Sequence, residues 1–102
     1  MKHLKLYEEV KNDIKTDDYV VFDTGVDSVL GNFFRTTIGQ VRNAGFGNTI
    51  PVDYDKVPDN LIDFFNYSFG VYIKFLPIDK VLFSSPNKKD VELFLASNKY
   101  NL

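Results

Sequence analysis

The chain has 102 residues, 44% of them apolar, with ten Phe, six Tyr, one Met and no Trp, which supplies one hydrophobic core and argues against disorder. It has no cysteine, which excludes a disulfide framework and any thiolate metal site and fits a reducing compartment. Twelve Lys and Arg against fourteen Asp and Glu give a net charge of −2 spread along the chain, a balance that opposes broad electrostatic capture of nucleic acid.

Residues 3–15 place Leu6, Val10 and Ile14 at four-residue spacing with Tyr7 beside them, the pattern of an amphipathic helix. Glu8 and Glu9 interrupt the basic Met1-Lys2-His3 start before an apolar run of signal-peptide length forms. No stretch of about 20 apolar residues is present for a membrane span, so a cytoplasmic protein is expected. Tyr19-Val20-Val21-Phe22 is short, β-branched and aromatic, and reads as a strand suited to burial on both faces. Val26, Val29, Leu30, Phe33 and Phe34 follow helical spacing, which predicts a short helix capped by Asp27 and weakened by Gly31. Ile38 and Val41 stand three apart, and a bulge at Gly39 would bring them to one face of a strand.

Gly45-Phe46-Gly47-Asn48 is a turn signal, and Ile50, Val52 and Tyr54 then alternate along one side of a strand, completing a hairpin. Pro51 lacks an amide hydrogen, which predicts an edge strand or a locally unpaired position. Residues 57–67 read as a helix, with Pro58 in the first turn and Leu61, Ile62, Phe64 and Phe65 as its apolar face. Val71, Ile73 and Phe75 alternate with Tyr72, Lys74 and Leu76, and Val81-Leu82-Phe83 forms a last short strand beyond Pro77. A final helix is expected over 87–98, with Val91, Phe94 and Leu95 as its buried stripe and Asn87 or Ser85 as its cap. One domain over 1–102 is expected, since no repeat or linker divides the chain.

Five short strands, the middle pair joined by a glycine turn and the last two by a Pro-containing connection, resemble a small SH3-like barrel over about 18–84. The resemblance rests on Ile38-Gly39-Gln40-Val41 and Ile78-Asp79-Lys80-Val81. It implies an α+β fold: a five-stranded antiparallel barrel with N-terminal, inserted and C-terminal helices. The inserted helix at 57–67 departs from a minimal barrel. The start Met1-Lys2-His3-Leu4-Lys5-Leu6-Tyr7-Glu8-Glu9 and the composition rich in Asn, Lys, Asp, Phe and Tyr are similar to small accessory proteins of bacteriophages and large viruses. That resemblance implies a protein that engages or inhibits a host protein, in the host cytoplasm.

Val20-Val21-Phe22-Asp23-Thr24-Gly25 resembles the active-site turn of retroviral-type aspartic proteases. The resemblance implies a homodimer in which Asp23 shares a proton with the carboxylate of a second copy. That family's second mark, an apolar pair followed by Gly before the last helix, is missing from Lys80-Val81-Leu82-Phe83-Ser84-Ser85-Pro86. Asp and Gly are also expected wherever a strand ends in a turn, and that is the reading taken. His3 is the sole histidine, so neither a Cys–His pair nor a histidine metal cluster can be assembled. The aspartates at 13, 17, 18, 23 and 27 lack the register of a calcium loop, and Gly45-x-Gly47 lacks the third glycine of a dinucleotide fingerprint. No metal and no cofactor are expected.

Phe33, Phe64, Phe65, Phe69, Phe75, Phe83 and Phe94 read as core. Phe46 differs, because it lies between two glycines at the hairpin tip. It is expected either to anchor a partner, with Arg42, Asn43 and Asn48 adding polar contacts, or to fold back over the sheet edge. The expected function is a non-enzymatic module that binds a protein partner. The aspartic protease is the alternative, and a binder of single-stranded nucleic acid that stacks bases on Tyr19, Phe46, Tyr54 and Tyr72 is the third.

Overall fold

The computed structural model describes residues 14–44 and 47–100. The helix expected over 3–15 lies outside them apart from its last two residues, as do His3, Asp13 and Phe46. Between Ile14 and Tyr100 run β1 (Tyr19–Phe22), α1 (Val29–Thr36), β2 (Gly39–Val41), β3 (Thr49–Tyr54), β4 (Asn66–Ser68), β5 (Val71–Pro77), β6 (Val81–Ser85) and α2 (Lys88–Tyr100). The fold is α+β. Its strands form one open antiparallel sheet in the order β4-β5-β3-β2-β1-β6.

Strand alternation decides where the core sits. Val20 and Phe22 of β1, Val41 of β2, Ile50, Val52 and Tyr54 of β3 and Leu76 of β5 all face one side and join a single buried cluster. Helix α1 closes that side with Phe34, and Leu30 and Phe33 pack on the cluster's margin. Val21 points the other way, toward the face where α2 lies against β1 and β6. Val21 and Val91 are both fully buried, and the rings of Phe83 and Phe94 stack 4.7 Å apart. Strand β1 is therefore covered on both faces, as its unbroken apolar run requires. Each such side chain contributes about 1.5–3 kcal/mol through burial.

Among the described residues six strands replace the expected five, and the sheet they form does not close into a barrel. It is nonetheless strongly curled. Four strand spacings of about 4.8 Å separate β5 from β6 in a flat sheet, about 19 Å, yet a four-residue step from Pro77 to Val81 reaches at most about 14 Å. The short connection at Ile78–Lys80 can join these strands only if the sheet coils to bring them together. A register shift between Val21 and Phe22 opposite β6 marks one point of bending.

Residues 57–67 form no α-helix. Leu61 N donates to Pro58 O at 2.9 Å, a single tight turn follows at Ile62–Phe64, and Asn66–Ser68 then pairs with β5 as β4. Leu61 and Phe65 are buried four residues apart, which is why a helical period shows in the sequence. Asn, Tyr and Ser are poor helix formers, and strand pairing satisfies their backbone instead.

The cap of α1 is Ser28 rather than Asp27, its Oγ accepting from Gly31 N at 3.1 Å. Gly31 does not weaken the helix so much as allow it, because a Cβ there would stand 2.0 Å from the carbonyl oxygen of Val26. Pro51 sits in a central strand, not at an edge. Its carbonyl accepts from Arg42 N at 2.9 Å, just past the end of β2, so its missing amide hydrogen faces the point where that neighbour stops. At the start of α2 Asn87 is the cap, its Oδ1 accepting from Lys89 N at 3.0 Å, while Ser85 Oγ accepts from Asn87 N at 3.1 Å ahead of the helix and bonds none of its free amides.

Gly39 makes no bulge that unites Ile38 with Val41. It faces the core beside Val41, and a Cβ on it would lie 2.4 Å from Val52 Cγ1 and 2.9 Å from Tyr54 Cε1. The Tyr54 ring occupies the space that this glycine leaves open. Gly39→Ala is therefore expected to destabilise the fold by about 1–3 kcal/mol, as overpacked cores do. Urea denaturation checks this, with a lower midpoint at unchanged slope as the expected result.

Candidate functional site

The β4–β5 hairpin turns on two residues, Phe69 and Gly70, between the paired residues Ser68 and Val71. Their φ angles are 51° and 85°, the pair of positive values that defines a type I′ turn. Asn or Gly normally fills the first position, because a β-carbon in the left-handed region is crowded, at a cost of about 1–2 kcal/mol. Here a phenylalanine fills it, and its ring is 99% exposed. A bulky residue that is both backbone-strained and solvated gains nothing from its own fold, and such outliers cluster at functional sites.

Two further rings lie along the same margin. Tyr67 is 65% exposed and Phe64 52% exposed, while Lys74 Nζ donates to the Phe64 carbonyl at 3.0 Å and fixes the chain there. A relay of aromatic contacts holds this margin from beneath. Tyr67 packs on Tyr72 with ring centroids 4.9 Å apart, and Tyr72 meets Phe65 at 6.5 Å. Phe65 meets Tyr54 at 5.7 Å and Phe33 at 5.8 Å. The core's aromatic cluster thus surfaces at the edge of the sheet. No charged residue occurs from Phe64 to Ile73.

Of the residues expected to bind, Phe46 lies outside the described residues, and Arg42, Asn43 and Asn48 stand on either side of it in the β2–β3 connection. Arg42 is held by Asp53, Nε to Oδ1 at 2.8 Å, and Asn43 and Asn48 are exposed. The Asn48 backbone carbonyl accepts from Ile78 N at 2.8 Å. Of the rings expected to stack on bases, Tyr54 is fully buried and Tyr19 and Tyr72 are half-buried. Phe64, Phe69 and Phe75, expected in the core, are exposed, Phe75 because it lies on the face of β5 opposite Leu76 and the cluster. The signal for Phe69 was present in Ser68-Phe69-Gly70-Val71, a two-residue turn ahead of an alternating strand, but a helix read over 57–67 hid the strand that precedes it.

The chain matches no protein-family model, no curated protein and no solved structure.

Asp23 Oδ1 accepts from Gly25 N at 2.9 Å within its own turn and lies 3.4 Å from Arg35 Nη1. Arg35 also bonds the Asn32 side chain and the Val26 carbonyl. Among the described residues no group of three His, Cys, Asp or Glu side chains could hold a metal ion, and no helix is long and apolar enough to cross a membrane. A shallow depression of about 90 Å³ lies among Tyr19, Gln40, Asp53, Asp55 and Lys88, well below the roughly 300–1,000 Å³ of small-molecule sites.

The Tyr54 hydroxyl has no hydrogen-bond partner among the described residues, and burial among apolar rings pushes its pKa well above the usual phenol range. Tyr54→Phe keeps the ring and removes an unsatisfied polar atom, so it is expected to stabilise the fold by about 1–3 kcal/mol. The pH dependence follows from the raised pKa. Above about pH 10 the unfolded chain releases this proton while the folded chain retains it, so the parent loses up to about 1.4 kcal/mol per pH unit relative to the variant. Paired urea titrations from neutral to alkaline pH check both the offset and its slope.

Proposed function

We propose that the protein is a non-enzymatic binding module whose contact surface is the aromatic margin of the β4–β5 hairpin. The observation that carries this reading is Phe69, strained at positive φ and 99% exposed. Interface anchors are enriched in aromatic residues, which bring large area at little cost in side-chain entropy. Tyr67 and Phe64 extend the surface, and the rings beneath Tyr67 hold it in place before a partner arrives, which lowers the entropic cost of association.

The partner we propose is a protein of a host cell, in keeping with the resemblance to phage and large-virus accessory proteins. The curl of the strands other than β4 supports a distorted, opened SH3-like barrel as the parent architecture, with β4 added outside β5. The protease reading gains nothing from the surroundings of Asp23, whose carboxylate is engaged by Gly25 N and Arg35.

Capture from a host lysate on the immobilised parent, on Phe69→Ala and on Asp23→Asn tests this reading. Phe69→Ala is expected to weaken capture by roughly 30-fold, the equivalent of about 2 kcal/mol for an aromatic hot spot, while its melting temperature stays near the parent's. Asp23→Asn is expected to capture as the parent does. Loss of capture in Asp23→Asn together with full capture by Phe69→Ala would move the site to the Asp-Thr-Gly turn.

A further inference from the structure

We draw no further inference here: the strongest candidate, the uncharged aromatic edge of the sheet at Phe64, Tyr67 and Phe69 on the β4–β5 hairpin, belongs to the contact surface already described, and nothing in the structure shows what covers it.

Discussion

The placement of the Tyr54 ring over Gly39 is the constraint on which the rest of the structure depends. Val52 and Tyr54 of β3 press against β2 at a point where any β-carbon would collide, so a glycine at 39 sets how closely these two strands' side chains interlock. Tyr54 then becomes the hub to which distant parts of the chain attach. Phe33 and Phe34 reach it from α1, and Phe65 reaches it from the loop ahead of β4. Packing against rings that are themselves locked explains why a polar hydroxyl is tolerated without a partner. The ring's area and contacts outweigh the oxygen's lost hydration.

From that hub the order of the molecule extends outward to its edge. Phe65 carries it to Tyr72, and Tyr72 carries it to Tyr67, so an exposed ring is held by buried ones. Hairpins at sheet edges are usually among the less stable parts of a fold. This one instead combines support from the core with a strained tip, an arrangement that holds Phe69 toward solvent. The strain at Phe69 costs stability locally, and the aromatic core offsets it.

Much of the fold was legible in the sequence. Strand β1, helix α1, strands β3, β5 and β6 and helix α2 all follow from hydrophobic period and turn chemistry. The absence of cysteine is likewise a plain reading of the chain. The errors share one physical origin, which is that a local pattern does not reveal which long-range partner will satisfy the backbone. Leu61 and Phe65 have helical spacing because both reach the core from an irregular segment, and β4 exists only because Val71–Ile73 is there to pair with it. Ser28 displaced Asp27 as a cap through a one-residue difference in where the helix begins. Gly39 and Gly31 read as a bulge and a weakness, whereas both are close approaches, Gly39 to Val52 and Tyr54 across the sheet and Gly31 to the Val26 carbonyl of the turn that precedes its helix. Phe69 was hidden because it was read as core with the other phenylalanines, and only pairing of β4 with β5 makes its position a solvated two-residue turn.

Whether Phe69 is held for binding against the preference of its own turn can be measured with one substitution. Phe69→Asn installs Asn-Gly, the pair most at home in a type I′ turn, and removes the exposed ring. If strain is retained for the sake of contact, stability and association must move in opposite directions. The melting temperature should rise, by several degrees for a gain of about 1 kcal/mol in a domain of this size, while capture of a protein partner falls. A variant that melts well below the parent would contradict this, because it would mean that the Phe69 ring packs against its own fold.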